Sequence, residues 1–255
     1  MASPDSIKSL GGHLQIKGIK KSFGSAVVLE DVAFDVQPGE RHGMIGVNGA
    51  GKSTLFNIIT GDLSMDAGSI LLDGEELNNL SVQKRVLRGL GRTYQVSSLA
   101  QSLTVGANLV LSLGDGRLPS LVTPWRDALS EDALRESAKR FDLEDSLEDR
   151  VEDLSHGMQR QLELAMVIHR RPRVLLLDEP AAGLSPRERG RLSATIRELP
   201  ADVSLLIIEH DVDMILDLCD PITVLHNGRI LMSGSPKEVA RDARVREAYL
   251  GYAHA

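Results

Sequence analysis

Three groups of residues in this chain have types and spacings that could do chemistry. The densest is Gly46, Val47, Asn48, Gly49, Ala50, Gly51, Lys52, Ser53 and Thr54, in which two glycines five positions apart are followed by Lys and Ser. Glycine tolerates left-handed and crowded backbone, so consecutive N–H groups can converge on phosphate oxygens with no Cβ in the way. A helix starting here would add roughly half a positive charge at its N-terminus. Lys52 supplies a full charge for the β and γ phosphates of a nucleotide, and the Ser53 hydroxyl is placed to ligate Mg2+.

The second group is Asp178 and Glu179, which follow the apolar run 174–177. In α/β folds ligands bind at the carboxyl ends of strands. Asp178 suits the holding of Mg2+ through water, and Glu179 is the candidate general base for an attacking water. The third is His210, after the apolar run 205–208 and Glu209. If its strand neighbours that of Asp178, the imidazole could reach the γ-phosphate and sense its hydrolysis.

These groups need an α/β frame, and the hydrophobic pattern predicts one. Alternation over residues 14–36 predicts an antiparallel sheet. A strand over 43–47 should feed the glycine-rich turn, and a helix over 52–60 should close on Gly61 in a left-handed cap. Ile70 to Leu72 followed by Asp73-Gly74 signals a tight turn, while residues 75–90 carry no decisive pattern. Residues 97–153 hold few β-branched side chains, and Leu134, Ala138 and Phe141 have helical spacing, which predicts a helical insert. A helix over 158–170 places Leu162, Ala165, Met166 and His169 on one face and ends at Pro172. Runs 174–177 and 204–208 read as buried parallel strands separated by a helix over 186–199. Asn227-Gly228 predicts a hairpin.

Composition removes several classes of function. The chain has 255 residues, 42% of them hydrophobic, and a net charge of −7 with no basic block, which argues against nucleic acid as a partner. The single cysteine, Cys219, excludes an internal disulfide and reads as core. No apolar run approaches the roughly 18 residues of a membrane span, and residues 1–12 read as a loose tail without the marks of a secretory signal. The expected compartment is cytoplasmic.

What separates the many phosphate-loop families is the stretch Leu154 to Met158, LSHGM, which resembles the LSGGQ signature of ATP-binding cassettes of the ABC type. Ser155 is independently a good helix N-cap. The resemblance runs from about residue 13 to 250 and implies a RecA-like parallel-sheet core, an N-terminal antiparallel β subdomain and a helical subdomain. It divides the chain into a 1–12 tail, 13–95 with the phosphate loop, a 96–153 helical subdomain, 154–233 with the signature helix and acidic strand, and a 234–255 helical tail. It implies that Phe23 stacks on adenine, that Gln95 senses the metal, that residues 181–185 join two subunits, and that His210 is the switch histidine. Ser155, His156 and Gly157 would contact the γ-phosphate of ATP held by an opposite subunit. His156 and Met158 depart from the signature, and Ser185 stands where an aspartate is usual.

The same resemblance implies that ATP and Mg2+ bind between two ATPase subunits, identical or homologous. Integral membrane permease subunits would dock near Tyr94 and residues 96–105, with a periplasmic binding protein acting indirectly. The phrases LDEPAAGLSP, IEHDVDMILDLCD and REAYLG look like ATPases of bacterial importers of branched-chain amino acids, amides or urea. The protein would then sit peripherally at the cytoplasmic face of the inner membrane. Cassettes of DNA repair or translation usually fuse two units or insert a long coiled coil, for which this chain has no room. A role in iron–sulfur cluster assembly is the alternative, and a GTPase switch lacks its guanine motif.

Overall fold

The computed structural model describes residues 11–93, 99–113 and 131–250. Tyr94, Gln95, Val96, Ser97 and Ser98 lie outside them, and so do the first ten residues. The chain begins with β1 (Leu14–Phe23) and β2 (Ala26–Val36), an antiparallel pair in which Leu14 faces Val36, Ile16 faces Phe34 and Ile19 faces Val32. Each of these side chains is buried, the outcome that the alternation demands. The short strand β3 (Arg41–Ile45) leads to α1 (Lys52–Thr60). This strand ends two residues before the expected boundary, because the backbone from Gly46 onward already belongs to the loop. Helix α1 has the predicted bounds, and Gly61 closes it at φ 87°.

Next come β4 (Ala67–Leu72) and β5 (Glu75–Glu76), joined by Asp73 and Gly74, both at positive φ. The undecided stretch contains α2 (Val82–Leu87), capped by Ser81, and then β6 (Leu90–Arg92). Helices α3 (Val105–Leu113), α4 (Glu131–Arg140) and α5 (His156–His169) precede β7 (Val174–Asp178). Helix α4 stops at Arg140, and Asp142 turns the chain at φ 53°, yet Phe141 keeps its place in the core at 1% exposure. The chain finishes with α6 (Pro186–Arg197), β8 (Ser204–Ile208), α7 (Val212–Leu218), β9 (Ile222–His226), β10 (Arg229–Gly234), α8 (Pro236–Arg241) and α9 (Ala243–Leu250). Asn227 and Gly228 make the predicted hairpin turn, with both φ positive.

One sheet has the order β2-β1-β4-β5 and the other β10-β9-β3-β8-β7-β6. The chain divides into two compact bodies. The first comprises Met1–Leu90, Arg173–Leu177 and Pro200–Ala255. Its core is continuous: Leu55, Phe56, Ile58 and Ile59 of α1 cluster with β1, β2 and β4 residues and with Met44, Val174, Leu176, Leu206 and Ile208 of the second sheet. Strands β7 and β8 are buried along their whole length, as a central strand covered on both faces requires. Fully buried Ser204 ties the strand beginnings together. Its hydroxyl accepts from Gly39 N–H at 2.9 Å and donates to Gly12 O at 2.7 Å, while its N–H reaches Arg173 O. Strand β3 runs parallel to β8 and β9. Cys219 packs beside Gly43 and is inert, because burial pushes its thiol up to about 12.

The second body comprises Gly91–Pro172 and Asp178–Leu199. Here α3 packs on α5, and Asn108, with no exposure, holds the turn before α3 through both the N–H and C=O of Ala100. His169 sits between the hydroxyls of Ser112 and Ser137, edge-on to Phe141. Burial lowers its pKa and so favours the neutral ring. Helix α6 is fastened to α5 by Gln161 Nε2 donating to Thr195 Oγ1 at 3.0 Å.

Candidate functional site

In the first body the loop after β3 is crowded at both ends and open in the middle. A Cβ on Gly46 would lie 2.4 Å from Leu225 O, and one on Gly51 2.7 Å from Leu29 Cδ2. Gly49, at φ 82°, faces open space, so conformation rather than room demands glycine there. Helix α1 starts from Gly51 at φ 106° with no side-chain cap and no acid in its first turn. A helix start with glycine at the cap and no acid in its first turn is one that an anion can approach. Lys52 is 6% exposed and its ammonium donates to Gly46 O at 2.6 Å and Val47 O at 3.2 Å. Asn48, Gly49 and Ser53 are exposed, Val47 and Thr54 are half-buried, and Ala50 is buried.

Phe23 is 52% exposed at the end of β1, with Lys21 Nζ 5.3 Å from its ring centroid. Such exposure rules out a core role and leaves an aromatic face for a flat ligand. His210 follows β8, half-exposed, and its N–H donates to the buried carboxylate of Glu209 at 3.1 Å. The hairpin turn braces the loop, since Gly228 N–H donates to Ala50 O at 3.0 Å. Tyr249 of α9 is a further neighbour. Burial pushes its phenol up to about 12, against the opposing effect of the Gly46 N–H.

The second body carries the remaining residues. Asp178 ends β7 and is 6% exposed. Glu179 follows at φ 46°, a left-handed conformation that is costly for a side chain of this kind. Strain held at a candidate base is a recognised mark of a functional position. The backbone then turns through Ala182 N–H to Glu179 O and Leu184 N–H to Ala181 O, and Ser185 caps α6 in a capping box with Glu188.

Ser155 is the N-cap of α5, its Oγ accepting from Met158 N–H at 3.3 Å. His156 is exposed at the first helical position. Gly157 N–H donates to Glu188 Oε1 at 3.2 Å. The polar acceptor that Met158 cannot offer is supplied here by a residue of another helix. Glu188 was not legible as a site residue. Ser185-x-x-Glu188 has the form of a helix-start pattern, but the bond to Gly157 crosses 31 residues of chain.

Of the residues expected to meet Mg2+, Ser53 belongs to the first body and Asp178 to the second, and Gln95 lies outside the described residues. Among the described residues there is no cluster of three His, Cys, Asp or Glu that could hold a metal. A hydroxyl and a carboxylate are each oxygen donors of the kind a hard cation takes.

A family model described as ABC transporter matches residues 29–182, and a second, described as Branched-chain amino acid ATP-binding cassette transporter, matches residues 229–255. The high-affinity branched-chain amino acid transport ATP-binding protein BraF of Pseudomonas aeruginosa is 35% identical over 94% of this chain and 98% of its own length. The protein of the same description in Escherichia coli K12, LivG, is 36% identical with the same coverage. Among solved structures, an ATP-binding cassette of an ABC transporter in its ADP conformation superposes with a TM-score of 0.82 at 29% identity. It covers 94% of this chain and 99% of its own.

Proposed function

Because the chain belongs to the ABC transporter family of ATP-binding, ATP-hydrolysing cassettes, we propose that it energises the uptake of branched-chain amino acids or related small polar solutes. The reading is carried by residues 229–255, which lie beyond the loop and acidic strand common to all such cassettes and match the branched-chain model. No helix among the described residues is long and apolar enough to cross a membrane. In this reading, which the relatives named for transport support, passage of the solute belongs to separate membrane permease subunits. The cassette works peripherally at the cytoplasmic face, with a second cassette, identical or homologous, and a periplasmic binding protein that delivers the solute. The matched relatives are named for transport, and nothing in them favours the iron–sulfur alternative.

In this reading the adenine lies on Phe23 and the triphosphate lies along the N–H groups of residues 46–54. Lys52 exchanges the carbonyls of Gly46 and Val47 for the β and γ oxygens. Ser53, Asp178 and Gln95 are the residues that would hold Mg2+, which would supply neutralisation of phosphate charge. Glu179 takes a proton from water as the water oxygen bonds to the γ-phosphorus. The bond to the β–γ bridging oxygen breaks, leaving ADP and inorganic phosphate. His210 faces the γ-phosphate as its sensor. Ser155, His156 and Gly157 of the second subunit meet the same phosphate, so its departure releases the closed dimer.

Glu179→Gln tests this directly. With Mg2+ and ATP it should bind nucleotide and remain associated while turnover falls about 100- to 10,000-fold. Wild-type turnover would remove Glu179 as the base. ATP-dependent leucine accumulation by proteoliposomes holding the cassettes and permeases tests the substrate class.

A further inference from the structure

The start of α5 is already occupied by an anion from the same body. Glu188 Oε2 accepts from Ser185 N–H at 3.0 Å and from the Ser185 hydroxyl at 2.7 Å, which completes the cap of α6. The other oxygen, Oε1, turns to Gly157 N–H at 3.2 Å. One carboxylate thus serves the first turns of two helices, where the helix dipoles favour negative charge. The fit is close: a Cβ on Gly157 would lie 2.7 Å from Glu188 Oε1 and 2.8 Å from its Cγ. Ser155, Gly157, Met158, Gln161, Glu188 and Arg191 line one small hollow at this helix start.

We propose that Glu188 is an internal anion that holds the start of α5 until the γ-phosphate of ATP on a second subunit displaces it. The inference rests on the shared-site reading above, in which Ser155 and Gly157 face that phosphate. An N–H has one hydrogen, so Gly157 cannot serve both acceptors at full strength. ATP-driven closure must exchange one anion for another, and Arg191, one turn along α6, gives the released carboxylate a cation to approach. The exchange proceeds by competition and not by protonation. The Ser185 hydroxyl, then the Ser185 N–H, hold the Glu188 carboxyl at about 2, far below any cellular pH. Because Glu188 caps the helix that follows Glu179 through one short turn, its release also links the state of α5 to the backbone carrying the base.

The test titrates ATP, with Mg2+, into the full-length Glu179→Gln protein and reads association by light scattering. Adding Glu188→Gln, which keeps an acceptor and loses the charge, should lower the half-saturating ATP concentration about three- to tenfold. Glu188→Asp, charged but too short to span both helices, should fall between. A merely structural cap would act in the opposite direction, weakening association. Half-saturation equal to or above the parent's in both variants overturns the inference alone. A parent that does not associate with ATP overturns the shared-site reading and this inference with it.

Discussion

Two helices of this protein begin at glycine-containing turns and are finished in opposite ways. Helix α1 starts from Gly51 with neither a side-chain cap nor an acid in its first turn. Helix α5 starts from Ser155, whose side chain caps it, and takes a carboxylate from Glu188 on Gly157. Helices α2, α6, α7 and α8 likewise have side-chain caps, from Ser81, Ser185, Asp211 and Ser235. With glycine at the cap, the start of α1 loses only about a few tenths of a kcal/mol against a serine. The difference separates a start with neither side-chain cap nor acid from one that holds an internal anion, which in the proposed cycle a ligand displaces.

The comparison breaks most readily at Lys52. Lys52→Ala removes the full charge at the open start, and ATP turnover should fall about 100- to 1,000-fold in a coupled phosphate-release assay. Retained turnover would mean that the bare helix start suffices. Next in size are the loop glycines. Gly46→Ala should cost about 1–3 kcal/mol in chemical denaturation, because its Cβ meets backbone at Leu225. Gly49→Ala, with open space at φ 82°, should cost about 1 kcal/mol. Equal costs would show that the loop relaxes around Leu225.

At the satisfied start, Ser155→Ala should lose about 1 kcal/mol of stability by thermal melting together with ATP-driven association. Loss of stability alone would make the serine a cap and nothing more. The smallest effect is in pH. Glu188 is held at about 2 in the fold against an ordinary value of 4.5, so below 4.5 the unfolded chain binds the proton first. Its contribution is complete above pH 4.5 and disappears as pH falls towards 2. The melting difference between wild type and Glu188→Gln should therefore close over that window, and a constant difference would deny the charge any part.

The phosphate loop, α1 with its Gly61 cap, the Asn227-Gly228 turn and the buried strands β7 and β8 were legible because each depends on neighbours close in sequence. The boundary of β3 and the end of α4 were not. Packing, rather than periodicity, decides where the loop takes over at Gly46 and how Phe141 stays buried after its helix has stopped. Phe23 could be named as an aromatic candidate, but only the folded sheet shows its ring on the surface.

The sequence by itself determined which groups could meet phosphate, metal and water: Lys52 and Ser53, Asp178 and Glu179, Ser155 and His210. Those assignments rest on residue type and local spacing, except that the phosphate role of Ser155 comes from the resemblance of its stretch to the signature. Only the tertiary structure decided that Gly228 braces the loop through Ala50, that Glu179 sits at a strained φ, and that Glu188 covers Gly157. These are hydrogen bonds and strains between elements or imposed by them, and no spacing along one chain states which donors packing will bring within 3 Å or so of an acceptor.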